Sequence, residues 1–219
     1  MHLARIAELL QPFLREANHQ RLAANDTLCQ HISTYIDILL HWNARINLTA
    51  IRSEEEIVTR HFGESLFAAR HLFPNIYPVS SVPPVLKEVD LDGTRLADLG
   101  SGAGFPGIPI ALIRPEISVT LAESQNKKSS FLREAVRTLK LPNVEVWAAR
   151  AETLPADRQF RIVTLRAVDN MEDAITVAKG RIAPGGQLAL LTTVSQVPNG
   201  GRSLPLPNSK FGILYLQTF

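Results

Sequence analysis

The stretch Leu96-Ala97-Asp98-Leu99-Gly100-Ser101-Gly102-Ala103-Gly104-Phe105-Pro106-Gly107 runs from apolar residues through one carboxylate into closely spaced glycines. A buried strand that enters a glycine turn and then a helix marks the edge where open α/β sheets bind ligands. Glycines let the backbone approach a ligand closely, and the free N–H groups of a helix start suit a carboxylate or phosphate. Pro106, near the first helical position, removes no helical hydrogen bond. Gly102 to Gly107 also satisfy G-x-G-x-x-G, so the glycines alone fit a dinucleotide as well as other nucleosides. The acids discriminate between them. Asp98 precedes the glycines directly, where a carboxylate opposes a pyrophosphate and suits a cationic ligand derived from methionine. S-adenosyl-L-methionine carries an ammonium and a sulfonium and no phosphate. Glu123, at the end of the next expected strand, stands where it would accept hydrogen bonds from both ribose hydroxyls of an adenosine. Two acids flanking one glycine turn favour a methyl donor over NAD(P).

Other chemistries find little support. His2, His19, His31, His41, His61 and His71 all fall in the first third, with no H-x-x-x-H pair, and Cys29 is the single cysteine, so no metal site is expected. Ser101 sits in Gly100-Ser101-Gly102, not in the G-x-S-x-G elbow of hydrolases. One cysteine permits no internal disulfide, which predicts a cytoplasmic, reducing location. Met1 to Glu8 mix charges into the first turns, unlike a secretory leader, and no segment has the length and apolarity of a membrane span.

The elements that must position these residues are legible as periodicity. Ile6, Leu9, Leu10, Phe13 and Leu14 recur at helical spacing, as do Ile32, Tyr35, Ile36, Leu39, Leu40 and Asn43. Asn25-Asp26-Thr27 offers N-caps for the second helix, and Ser53 with Glu56 forms a capping box for a third. Between them, His41 to Thr49 reads as a turn with polar hooks. Residues 1–73 are therefore expected to form an N-terminal helical cap, residues 74–93, with four prolines, an extended connection, and residues 94–219 the ligand-binding domain. In that domain the spacing predicts strands at 95–99, 118–122, 144–147, 161–165 and 187–193, a last apolar run at 211–216, and helices at 107–113, 127–139 and 171–182. Such alternation predicts an α/β fold, a doubly wound, mostly parallel sheet.

Composition agrees with a globular chain: 219 residues, 45% hydrophobic, 20% charged, with a net charge of +2. The small total hides an asymmetry. Residues 127 to 166 hold nine Lys or Arg against four Asp or Glu, whereas residues 1 to 73 hold seven against eight. That sector is either a nucleic-acid-facing surface or a set of solvated helix faces.

The chain resembles the RsmG (GidB) family of S-adenosylmethionine-dependent methyltransferases that modify guanine N7 in bacterial 16S ribosomal RNA. The resemblance rests on His41-Trp42-Asn43-Ala44-Arg45-Ile46-Asn47-Leu48-Thr49, Arg60-His61 with Glu64-Ser65, Asp98 through Pro109, Glu123-Ser124 with Lys127-Lys128, Arg150-Ala151-Glu152 and Arg166-Ala167-Val168. It implies the methyltransferase type of Rossmann-like sheet. It further implies that Asp98, Gly100, Ser101, Gly102, Gly104 and Phe105 hold the methionine side of the cofactor. Glu123 and Ser124 would take the ribose, Ala151 and Glu152 the adenine side, and Arg166 would border the cofactor. Asn47, Arg60, His61, Lys127, Lys128 and Arg166 would line the RNA side, with Arg166 and Lys127 the catalytic candidates. Some of these residues keep a second reading: Lys127 and Lys128 as ordinary surface lysines, His61 as a packed helix residue, Phe105 as a helix-packing ring.

Guanine N7 presents an in-plane lone pair, so methylation there requires no general base, and alignment carries the catalysis. A cation against N7 would oppose the charge that develops, which assigns Arg166 to phosphate or guanine O6 and Lys127 and Lys128 to backbone phosphates. The expected partner is 16S ribosomal RNA or the small ribosomal subunit, with no metal and no membrane, and the expected working form is a monomer. Two departures from the family pattern stand out. Leu191 occupies a position where many relatives carry lysine, and Glu123 stands where aspartate is common. Competing readings are an NAD(P)-dependent oxidoreductase and a noncatalytic RNA-binding protein that retains the fold.

Overall fold

The computed structural model describes residues 1–14, 24–73, 93–168 and 170–219. Most of the expected 74–93 connection lies outside them. The cap begins with α1 (Leu3–Leu14), which buries Ile6, Leu10, Phe13 and Leu14, the face its spacing predicts. α2 (Asp26–Asn43) starts where Asn25 Oδ1 accepts the Leu28 N–H at 2.8 Å, so Asn25 is the cap among the three candidates. Ser53 Oγ accepts the Glu56 N–H at 3.4 Å and opens α3 (Glu54–Glu56). The third helix is not a plain α-helix. It widens into a π-helical segment at Ile57–Gly63 and returns to α geometry in α4 (Glu64–Leu72). π-helical turns are rare and concentrate at functional sites.

The sheet follows as β1 (Arg95–Leu99), α5 (Gly107–Ile113), β2 (Ser118–Ala122), α6 (Asn126–Thr138), β3 (Val144–Trp147), a 3-10 turn at Ala151–Thr153, β4 (Phe160–Arg166), α7 (Met171–Lys179), β5 (Ile182–Thr193), β6 (Arg202–Pro205) and β7 (Gly212–Thr218). The strand order is β3-β2-β1-β4-β5-β7-β6. β1 to β5 are parallel, and β7 runs antiparallel to both β5 and β6. The doubly wound, mostly parallel sheet is therefore observed. Its order reverses between β1 and β4, which makes that crevice the topological switch point.

Alternate strand residues feed two cores, as the pleat requires. Leu96, Leu121, Ile162 and Ala189 face the side covered by α5 and α6, and that cluster continues without a break into Ile6, Ile32, Leu39 and Phe62 of the cap. Ala97, Leu99, Val163, Leu165 and Leu190 face α7. Trp42 packs edge-on against Phe131 of α6, with ring centroids 6.0 Å apart.

Two expectations need correction. The helix expected over 171–182 stops at Lys179, because Gly180 caps it and Ile182 already pairs with Phe160 as the start of β5. The strand expected over 187–193 is accordingly longer. β6 was not foreseen: it is four residues long, ends in proline and lies at the sheet edge, where short, proline-bearing strands resist further pairing. Among the described residues no helix is long and apolar enough to cross a membrane.

Candidate active site

At the end of β1 the chain turns sharply, and both the Gly100 and Ser101 N–H groups donate to Ala122 O, at 2.9 and 3.0 Å. Gly100, Gly102 and Gly104 have φ of +69°, +56° and +81°, in the left-handed region where a side chain strains the backbone. At Gly107 the constraint is space: a Cβ there would lie 2.3 Å from Leu121 Cδ2 and 3.0 Å from Asp98 Oδ2. The glycines thus serve the turn's shape and its approach to β2.

Asp98 is 1% exposed. Its Oδ1 accepts from Thr164 Oγ1 at 2.8 Å and its Oδ2 from the Gly107 N–H at 3.3 Å, while Ser101 Oγ donates to its backbone O at 2.7 Å. Burial pushes the carboxyl up to about 6, against the pull of these hydrogen bonds and of the Arg166 charge. Asp98 therefore ties β1 to β4 and to the start of α5 and braces the turn. Glu123 is the other carboxylate of the turn. That side chain is 6% exposed, with Oε2 accepting the Gly102 N–H at 3.0 Å and Oε1 the Gln125 N–H at 2.7 Å. A carboxylate has about four acceptor sites, so two backbone donors leave capacity on both oxygens. The donor set fits S-adenosylmethionine: a fixed carboxylate for vicinal hydroxyls beside an uncluttered glycine backbone. Ser124 follows Glu123 and is exposed. Ala151 and Glu152 lie in the 3-10 turn after β3, with Glu152 3.8 Å from Arg150.

The second group forms where the cap meets the sheet. Asn43 shapes the expected hook: its Oδ1 accepts the Leu48 and Thr49 N–H groups at 2.9 and 3.1 Å, and its Nδ2 donates to Thr49 O at 2.9 Å. Thr49 Oγ1 then lies 2.8 Å from His61 Nε2. The His61 ring stacks on Phe105 at 4.6 Å and 20°, and Nδ1 has no hydrogen-bond partner. Burial, then the charges of Arg166 and Arg60, push His61 down to about 3, so the imidazole is neutral. Phe105 also meets Tyr35 and Phe62 edge-on at 5.3 Å, and the Tyr35 hydroxyl donates to Ala103 O. The cap is thereby bonded to the glycine turn itself.

Glu64, 4% exposed, holds two guanidiniums: Oε1 accepts from Arg60 Nε at 2.9 Å and Oε2 from Arg166 Nη2 at 2.8 Å. Arg166 Nη2 also donates to Arg60 O at 2.7 Å, and Nη1 has no partner. Burial lowers the Arg166 pKa from its ordinary value, with Glu64 opposing. Arg166 is thus committed to the seam, while Arg60 remains half exposed.

The structure brings Asp98, Gly100, Ser101, Gly102, Gly104 and Glu123 into one turn and gathers Arg60, His61, Phe105 and Arg166 into the seam beside it. Lys127 is exposed and Lys128 half-buried on the first turn of α6, and neither makes an ion pair among the described residues. Asn47 is exposed on the hook and takes no part in its hydrogen bonds. Leu191, 4% exposed, pairs in register with Arg166 and packs into the core on the cap side. Sequence reasoning gave no site role to Thr164, Glu64 or Tyr35, although Glu64 stood in a quoted motif and Tyr35 on a helix face. Thr164 had a signal, as the one hydroxyl in the otherwise apolar stretch Ile162 to Leu165, and Glu64 had another, one helical turn after Arg60. Among the described residues, no three His, Cys, Asp or Glu side chains are grouped to hold a metal ion.

Residues 28–197 match the family model GidB, rRNA small subunit methyltransferase G. Among similar proteins is the ribosomal RNA small subunit methyltransferase G of Xanthomonas campestris pv. campestris (strain B100), 40% identical over 160 residues that cover 73% of this chain and 66% of the relative. The protein of the same name from Chromobacterium violaceum is 36% identical over 163 residues, 74% of this chain and 69% of the relative. The chain spans about two thirds of the length of the curated relatives it matches. A predicted O-methyltransferase of Agrobacterium tumefaciens aligns with 60% of this chain and 76% of its own at 24% identity and a TM-score of 0.48, too loosely to bear on the site.

Proposed function

This chain belongs to the GidB family, rRNA small subunit methyltransferase G, and from that premise we propose that it transfers a methyl group from S-adenosyl-L-methionine to N7 of a guanine in bacterial 16S ribosomal RNA. The observation that carries the reading is the Glu123 carboxylate, fixed to the Gly102 N–H at 3.0 Å with acceptor capacity to spare, at the ligand edge of the sheet. When bound, the cofactor supplies a methyl carbon made electrophilic by sulfonium. The chain's own residues bind and orient. Glu123 would accept the ribose hydroxyls, the Gly100–Gly104 backbone would lie along the methionine portion, and Ala151 and Glu152 would border the adenine.

Guanine N7 bears no proton, so no residue removes one before attack, and the rate rests on in-line alignment. Positive charge reaches the purine as the methyl moves. A free guanidinium against N7 would oppose it, and Glu64, shared at 2.9 and 2.8 Å by Arg60 and Arg166, offsets part of that charge. His61, neutral by burial, adds no charge. Lys127 and Lys128 stand ready for backbone phosphates, where they add affinity and no sequence information. The substrate is 16S ribosomal RNA or the small subunit that contains it.

The test is transfer of labelled methyl from S-adenosylmethionine to unmodified 16S ribosomal RNA, followed by mapping of the product. The expected product is 7-methylguanine at one position. Label on another atom, or RNA bound without transfer, overturns the proposal, the latter in favour of a noncatalytic binder.

A further inference from the structure

The hairpin of β6 and β7 lies beyond residues 28–197, the part that matches the family model. Its loop is held by its own bonds: the Leu206 N–H donates to Gly212 O at 2.9 Å, the Ser209 N–H to Leu206 O at 3.2 Å and the Gly212 N–H to Ser209 Oγ at 2.9 Å. Leu206 is buried beneath it. On this fixed base Phe211 is 61% exposed, the highest value for a large hydrophobic side chain among the described residues. Lys210 Nζ stands 5.3 Å from the Phe211 ring centroid. A rigid loop that ends in an uncovered aromatic ring beside an ammonium is not what packing requires.

Its place in the sheet gives it meaning. Leu99 pairs with Leu165, Leu165 with Leu190 and Leu190 with Tyr215, so β7 lies three strand spacings, roughly 14 Å, from β1. The Val194 N–H donates to Phe211 O at 2.9 Å, which sets Phe211 some four residues, roughly 13 Å, past the level of Leu99 toward the ligand edge. The ring therefore stands on the same edge as the glycine turn, too far to touch the reacting base and within reach of a nucleotide further along the same strand. Charge agrees. From Ala174 to Phe219 the sequence has no Asp or Glu, and of its basic residues Lys210 lies on this edge, whereas Lys179 and Arg181 precede β5 at the opposite one. No carboxylate of this segment repels a phosphate.

We propose that Phe211 and Lys210 form a platform for single-stranded RNA, with Phe211 stacking on a base a few nucleotides from the methylated guanine and Lys210 contacting its phosphate. Aromatic stacking beside a cation grips any nucleobase, because every base has a π face. The proposal rests on the RNA reading of the site and adds to it a second point of contact on a different element.

The experiment measures binding of unmodified 16S ribosomal RNA, naked and within the small subunit, to the full-chain wild type, Phe211→Ala, Phe211→Trp and Lys210→Ala. Each is also titrated with S-adenosylhomocysteine, the demethylated cofactor. Phe211→Ala is expected to weaken naked-RNA binding about tenfold and Phe211→Trp to retain it. Lys210→Ala should lower the slope of log affinity against log salt by about 0.7 to 1. All should take up S-adenosylhomocysteine as the wild type does. Naked-RNA binding by Phe211→Ala equal to wild type, or a Trp variant as weak as the Ala variant, overturns the platform while the RNA reading stands. Weakening confined to the assembled subunit overturns RNA stacking in favour of a ribosomal protein contact. Wild type that binds the nucleoside but no RNA overturns both.

Discussion

The glycine turn and the seam between cap and sheet both bury carboxylates, and they satisfy them differently. Asp98 and Glu123 are held by neutral donors: backbone N–H groups, and for Asp98 the Thr164 hydroxyl. Glu64 is held by two guanidiniums, one of them 102 residues away in sequence. Neutral donors fix a carboxylate without spending all its acceptor capacity, so the turn stays responsive to a ligand. An ion pair between distant elements fixes their relative position and has little left for a ligand. Loss of a partner should therefore be felt as lost binding in the turn and as lost folding in the seam.

Breaking the seam has the largest expected effect. Glu64→Ala leaves the Arg166 guanidinium buried without its counter-charge, which should cost about 3–5 kcal/mol of stability in denaturant unfolding. A loss below about 1 kcal/mol would show that the seam does not hold the cap.

Acid titration separates the regions by sign. The His61 pKa is lowered on folding, from 6.5 to about 3, so its contribution is present above pH 6.5 and is lost as pH falls toward 3, by roughly 4–5 kcal/mol at the limit. The Asp98 pKa is raised, from 3.8 to about 6, so its contribution is present below about pH 4 and is lost as pH rises through 6, by about 3 kcal/mol. Unfolding free energies of wild type relative to His61→Gln should therefore rise with pH between 3 and 6.5. Relative to Asp98→Asn they should fall between 4 and 6. Equal slopes in both comparisons would contradict the assignment. The smallest effect belongs to the rim: Lys127→Ala and Lys128→Ala should leave the melting temperature unchanged and each lower the salt slope of RNA binding by about one at most. A salt slope that matches wild type would make them plain surface residues.

How much of this was legible follows the same division. The turn is contiguous: strand, acid, glycines and helix start all lie between Leu96 and Gly107, and each residue's type reports its local backbone need. Glu123 was readable because it closes the next strand. What failed to show was direction, since the inward aim of Asp98 depends on Thr164 of β4, a partner only the sheet order supplies. The seam was readable only as a set of residue types. Arg60, His61 and Arg166 were named as RNA-side candidates, yet their joining by Glu64 needs the cap docked and the helix widened at Ile57–Gly63, and π geometry leaves no mark in apolar spacing. β6 was hidden for a different reason. Four edge residues, Arg202 to Pro205, are too short for alternation to register.

The most direct measurement is calorimetric titration of S-adenosylhomocysteine into the intact protein and into its Glu123→Ala variant. One-to-one uptake by the wild type, weakened about 100-fold or more in the variant, is the predicted result. No uptake by folded wild type, or equal affinity in the two proteins, contradicts it.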